Sequence, residues 1–274
     1  MSETKRGLVL VRGAGDLATG VILRLVRSGF SVAALEVASP TAIRRSVAFS
    51  EAVYEGETRV EGLLARRAGS VGEAKRIALA GIVPVLVDPD CESLTEFAPM
   101  ALVDAIMAKR NLGTNAALAD IVVALGPGFT APVDAHAVIE TNRGHYLGRV
   151  IREGGAEPDS GIPGLISGRG SERVVHAPVT GVAEVLRAIG DRVAAGEPIL
   201  ALRTPDGARS VVASPLDGVL RGLIRAGIQV SEGLKIADVD PRGEKAHCLS
   251  ASDKARAVAG GVLEAILELG GRPD

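Results

Sequence analysis

At 274 residues and 28.1 kDa, the chain has room for one large or two small domains, each able to bury a core. Hydrophobic residues make up 47% of it and mean hydropathy is +0.26, which excludes disorder as the dominant state. Only 2% is aromatic and Trp is absent, which argues against stacking platforms for single-stranded nucleic acid. The 31 basic and 33 acidic residues nearly cancel, so the basic excess of a generic polyanion binder is missing.

The first predicted strand, Gly7–Arg12, begins at once, without the apolar segment and cleavage site of a secretory signal. No apolar run approaches the length of a membrane-spanning helix. Cys91 and Cys248 lie far apart and in no CxxC pairing. A disulfide framework is therefore excluded, and the cytoplasm is the expected compartment. Further strands are predicted at Ser31–Val37, Val83–Asp88, Ala101–Met107 and Ile121–Leu125, with Val133–Thr141 as an additional candidate. Between them, Asp16–Ser28 and Ser70–Ala80 have the apolar spacing of helices. Apolar strands alternating with helices imply βαβ units, and so a Rossmann-like parallel-sheet α/β domain over residues 1–165.

Residues 154–171 are rich in Gly and Pro, as a linker or irregular loop would be. Beyond them the sequence repeats itself at an offset of 37 residues: Pro178 and Pro215, Gly181 and Gly218, Gly190 and Gly227, Val193 and Val230, Ile199 and Ile236. Each half reads as three short strands separated by Gly turns, and two halves are needed to cover one apolar face. The pattern resembles the lipoyl/biotinyl-type barrel-sandwich hybrid, predicted here over residues 172–242. Carriers of that fold need a Lys at the hairpin tip. No Lys occurs between Glu172 and Leu234, so covalent biotin or lipoate is rejected. Residues 243–274 form a C-terminal helical segment with its helix at Ser252–Leu269.

The strongest local motif is Gly13-Ala14-Gly15-Asp16, after the first strand and opening the first helix, with Glu36 ending the second strand. Such glycines suit a tight turn and pyrophosphate approach, and such an acid suits ribose hydroxyls. Asp16 is unusual there, because its charge opposes an anion. Three further loops follow predicted strands, carrying Arg44 and Arg45, then Lys109, Arg110 and Asn111, then Gly126 and Gly128. They offer cations or free backbone N–H groups suited to phosphate oxygens; ordinary solvated loops are the alternative. Asp134, His136 and Glu140 share one face if their segment is a strand. Their spacing matches no strong ligand signature, so no metal is predicted. The cysteines read as buried small hydrophobes, with a persulfide or selenide relay as the minor alternative.

The phrases RGAGDLATGV, PTAIRRSVAFSEAVYEGE, VDAIMAKRNLGT, ALGPGFTAPVDAHAVIETNRGHYLGRVI and SDKARAVAGGVLEAIL resemble the YqeB-type selenium-dependent molybdenum hydroxylase system proteins. The N-terminal part is also similar to xanthine dehydrogenase accessory proteins. The resemblance implies an accessory or maturation factor with a molybdenum hydroxylase as client. It makes the loops above candidate binders of a molybdopterin-type cofactor, or of NAD(P) or another nucleotide. The alternatives are an NAD(P)-dependent oxidoreductase, with His136 or His145 as its acid or base, and a scaffold docking the apo-hydroxylase. A small phosphate-bearing ligand is expected and nucleic acid and membrane are not. Whether the chain is an enzyme or forms a homo-oligomer stays open.

Overall fold

A computed structural model describes residues 7–159, 161, 164 and 168–273. Part of the predicted linker, residues 160, 162, 163 and 165–167, lies outside them. The chain divides into two compact units. One comprises Met1–Pro40, Ala48–Ser160 and Ala251–Asp274, and the other Thr41–Val47 and Gly161–Ser250.

The first unit begins with β1 (Val9–Arg12), α1 (Asp16–Arg27), β2 (Val32–Glu36) and the short α2 (Ala52–Glu55). It continues through β3 (Glu57–Val60), β4 (Leu63–Ala68), α3 (Val71–Leu79), β5 (Val83–Val87) and α4 (Leu94–Phe97). Then come β6 (Ala101–Asp104), β7 (Ile121–Leu125), β8 (Ala137–Ile139) and β9 (Val150–Ile151), and the unit closes with α5 (Asp253–Glu268). The strands form one nine-stranded sheet in the order β3-β4-β5-β2-β1-β6-β7-β8-β9. From β4 to β8 every neighbour is parallel, whereas β3 and β9 run antiparallel at the margins. β1 and β7 are buried along their whole length, as strands covered on both faces must be.

The expectation of a Rossmann-like parallel-sheet domain is corrected by this topology: the sheet is mixed. The cause is local. Glu61 and Gly62, at φ 46° and 87°, make a two-residue turn of the kind that returns a strand antiparallel, and Val60 pairs with Leu63 across it. At the other margin, Gly148 turns the chain back so that β9 pairs with β8. The C-terminal helix α5 is counted with this unit. Gly20 of α1 is where it fits: a Cβ there would lie 2.8 Å from the Ala255 Cβ and 3.1 Å from its carbonyl oxygen.

The second unit contains β10 (Val174–His176), β11 (Gly181–Val185), β12 (Arg192–Val193) and β13 (Pro198–Arg203), then β14 (Arg209–Ala213), β15 (Gly218–Leu223), β16 (Gln229–Val230) and β17 (Lys235–Asp240). They make two antiparallel four-stranded sheets, β10-β17-β15-β12 and β14-β13-β11-β16. This replaces the expected lipoyl/biotinyl-like barrel-sandwich hybrid built of three strands per half. Each half has a fourth strand, because Val174–His176 and Val211–Ala213 also stand 37 residues apart and both are extended. Each half also lends its two-residue strand to the other: β12 pairs with β15, and β16 with β11. Ile199, Leu200, Leu202, Leu220, Ile236 and Val239 form the shared core.

A charged cluster is buried in one sheet only. Asp238, 1% exposed, accepts hydrogen bonds from Arg173 and from Arg221 (Nε, 3.0 Å; Nη2, 2.5 Å). Arg221 also meets Asp240 at 3.3 Å, and Asp240 is closed by Arg242 at 2.6 Å. The positions 37 residues earlier hold the reverse charges, Glu184 and Arg203, in an exposed pair. Burial alone would raise the Asp238 pKa, but Arg221, Lys235 and Arg173 hold it below the ordinary carboxylate value. A depressed carboxylate stabilises the fold above its unfolded pKa and loses that contribution as pH falls through its folded value. Asp238→Ala, which leaves Arg173 without a carboxylate and Arg221 with Asp240 alone, is expected to cost about 3–5 kcal/mol in urea unfolding at pH 7. The deficit should shrink as pH falls below about 4, where Asp238 of the unfolded chain takes up a proton before the folded carboxylate does.

Candidate functional site

The carboxyl edge of the parallel strands is held by one buried side chain. Arg12, the last residue of β1 and 5% exposed, donates to Thr114 Oγ1 at 2.6 Å and to Asp104 Oδ2 at 3.4 Å. It also donates to the Pro89 and Leu112 carbonyls, at 3.1 and 3.4 Å. Thr114 in turn donates a hydroxyl hydrogen bond to Asp104 Oδ2 at 2.6 Å. Thus the segments following β5 and β6 are tied to the end of β1. Asn111 closes the second of them, donating to the Thr114 carbonyl and accepting the Thr114 N–H, each at 2.8 Å.

The predicted glycines serve close backbone packing at this edge. A Cβ on Gly13 (φ 98°) would lie 3.0 Å from the Ala105 carbonyl oxygen. One on Gly128 (φ 103°) would lie 2.7 Å from the Arg110 Cα, and one on Gly126 (φ 75°) would lie 2.6 Å from Thr141 Oγ1. Gly15, by contrast, faces open space, with Asp16 opening α1 behind it. The Glu36 carboxylate lies on the glycine turn itself, accepting from the Ala14 and Val37 N–H groups, each at 2.8 Å. Burial raises its pKa against those two hydrogen bonds.

The predicted cations are dispersed. Lys109 pairs with Asp159 at 2.6 Å, and Arg110 is exposed. Arg44 and Arg45 are counted with the second unit. There Arg44 donates to the His247 and Ser250 carbonyls, both at 3.1 Å, and Arg45 to the Leu223 carbonyl at 2.8 Å. His136 Nδ1 accepts the Val122 N–H at 2.9 Å, so it joins two segments of the sheet. Asp134 caps the Thr130 N–H at 2.8 Å. Among the described residues no three His, Cys, Asp or Glu side chains gather as metal ligands.

A cavity of about 740 Å³ opens beside the carboxyl end of β8. Its wall is built on Glu140, 3% exposed, whose two oxygens accept the Asn142 and Glu157 N–H groups at 2.7 and 2.8 Å. Arg149 lies over the Tyr146 ring, 5.2 Å from its centroid, and among the described residues it has no acidic partner. Arg152 is fixed by the His136 carbonyl at 3.0 Å and by Glu268 at 3.6 Å. Glu153 and Glu157 stand on the rim, the latter accepting from Asn142 at 2.5 Å. Tyr146, Arg149 and Arg152 are not among the residues predicted from the sequence. The available signal was the Tyr146–Arg149 spacing, in a chain with only two tyrosines.

The fold and this cavity define an α/β protein with a small-molecule-sized cleft at its strand ends. No family model matches the chain. It is 51% identical over 262 residues, 96% of its length, to "Uncharacterized protein YqeB" of Escherichia coli (strain K12). Across that aligned region the chain belongs to the YqeB family. It spans about half, 48%, of that relative's length. Solved structures with a likeness include a succinylglutamate desuccinylase/aspartoacylase from Rhodobacter sphaeroides, at 14% identity and TM-score 0.29, covering 86% of this chain and 85% of that one. Another is the ectoine utilization protein EutE (DoeB) of Ruegeria pomeroyi, at 11% identity and TM-score 0.27, covering 86% of each. At these TM-scores they carry no argument about activity.

The expected function is corrected here. An accessory or maturation factor for a selenium-dependent molybdenum hydroxylase, an NAD(P)-dependent oxidoreductase and a docking scaffold were expected from phosphate-receiving loops and from the family phrases. The glycine turn already holds the chain's own Glu36 carboxylate, which repels a phosphate at that place. The relative's name carries no molybdenum or selenium link.

Neither cysteine is placed as an activated nucleophile. Burial raises the Cys91 thiol to about 11, and Cys248, buried, is also raised by burial. Iodoacetamide at pH 8 is therefore expected to alkylate Cys91 about 100-fold more slowly than an ordinary thiol, because so little thiolate is present. Labelling followed by mass spectrometry measures this; a rate within a few-fold of free glutathione would contradict it.

Proposed function

We propose that the chain binds a small zwitterionic carboxylate in the cleft beside β8, with Arg149 receiving the carboxylate. The observation that carries this reading is Arg149 itself. It is a guanidinium held over an aromatic ring, without an acidic partner among the described residues, at the wall of a ligand-sized cavity. The Tyr146 ring beside it limits the rotamers open to Arg149, and a guanidinium fork can give a carboxylate two parallel hydrogen bonds. The lining as a whole sets the ligand's charge. Two arginines face three glutamates, so a doubly charged phosphate is disfavoured. A ligand with one carboxylate and one ammonium group satisfies both, the ammonium lying toward Glu153 and Glu157.

Binding, rather than chemistry, is what these groups support. Both Glu140 oxygens are engaged by backbone N–H groups, which makes that carboxylate a builder of the wall. Calorimetry with a panel of α-amino acids, their C-terminal amides and their N-acetyl forms tests the reading. At least one free amino acid should bind, and its amide and N-acetyl forms should bind more weakly. Arg149→Ala should reduce affinity at least about 10-fold, the scale of one charge-assisted hydrogen bond. Equal affinity in Arg149→Ala, or no binding by any zwitterion, would overturn it.

A further inference from the structure

A second cavity, of about 330 Å³, lies where α1 meets the start of α5. Gly20, Leu23, Arg24 and Arg27 line it from α1, at spacings that place them on one helix face, with Ser28 just past the helix end. Ala251 and Arg256 line it from the α5 side. The close approach at Gly20 and Ala255 is what brings the arginines of the two helices together.

A carboxylate is already seated between two of these arginines. Glu61 accepts from Arg27 at 3.0 Å, from Arg256 at 2.6 Å and from the Ala251 N–H at 2.9 Å. It does so from the tip of the β3–β4 turn, in a left-handed conformation (φ 46°) that disfavours a residue with a Cβ. The contacts offset that cost. They also lower the Glu61 pKa although burial opposes it, so the carboxylate is charged at neutral pH. Arg24 lines the same cavity with no acidic partner among the described residues. Three guanidinium groups therefore face one carboxylate.

We infer that this cavity is a binding site for a small doubly charged oxyanion, in which Glu61 occupies the place of one anionic group and Arg24 awaits the other. Planar guanidinium forks from two helices suit phosphoryl or carboxylate oxygens, and the residual positive charge favours a dianion over a single carboxylate. An anion entering the cavity competes with Glu61 for Arg27 and Arg256. Binding is thereby coupled to release of the β3–β4 turn.

Titration of the full chain with inorganic pyrophosphate, inorganic phosphate and succinate, at constant ionic strength set by chloride, tests the site and separates phosphoryl from dicarboxylate ligands. At least one of the three is expected to bind with Kd below about 1 mM and to raise the thermal midpoint with concentration. Arg24→Ala, which disturbs no ion pair, should weaken it at least about 10-fold. Glu61→Gln should tighten it about 5-fold or more by removing the internal competitor. Circular dichroism checks that both variants fold. Binding no stronger than the chloride control, an Arg24→Ala affinity equal to wild type, or no gain in Glu61→Gln would each overturn the inference.

Discussion

The first unit depends on Arg12. A guanidinium at the end of a central parallel strand is costly to bury unless each donor finds an acceptor. Here Asp104 neutralises it, Thr114 bridges the pair, and two carbonyls take its Nη2 donors. Because those partners lie on β6 and on the loops after β5 and β6, satisfying one charge fixes three segments at the edge where open α/β sheets present ligands. Gly13 and Gly128 then let neighbouring backbones close in.

The consequence for function is a division of charge. At the glycine turn, negative charge is supplied internally by Glu36. Beside β8, Arg149 is left facing a cavity of mixed charge, and between α1 and α5 three arginines outnumber Glu61. A nearly neutral chain thus separates three places of different electrostatic character within one unit. In the second unit the same economy takes another form. The repeat keeps its glycines and apolar positions, but Arg221 and Asp240 are the charge-reversed counterparts of Glu184 and Arg203. Only the former pair is buried with Asp238. That difference marks one sheet as the one whose polar core must stay paired.

The parallel strands β1, β2, β5, β6 and β7 lie within the apolar runs read from the sequence, because strands buried on both faces need such runs. β3, β4 and β9 escaped. Glu57–Val60 on the edge and Leu63–Ala68 beside it both carry charges, and β9 has two residues, so none of the three gives an apolar run. The overall class went wrong at those margins and at the fourth strand of each repeat. Site residues were harder still. Arg44 and Arg45 follow β2 in sequence, yet the chain between β2 and α2 is counted in part with the second unit. Charge type was legible, but partner identity was not: nothing in a one-dimensional reading places Glu36 on the Ala14 N–H or Arg149 over Tyr146.

Hydrogen exchange on Thr114→Val addresses the role of Arg12 most directly. The substitution keeps the shape of the side chain while removing the hydroxyl that joins Arg12 to Asp104. Amides at 88–94 and 105–115 should lose protection by about 10-fold or more, while those of β15 and β17 keep theirs. Unchanged protection in the two loops, or a loss spread evenly over both units, would contradict the claim that one buried arginine sets the geometry of the carboxyl edge.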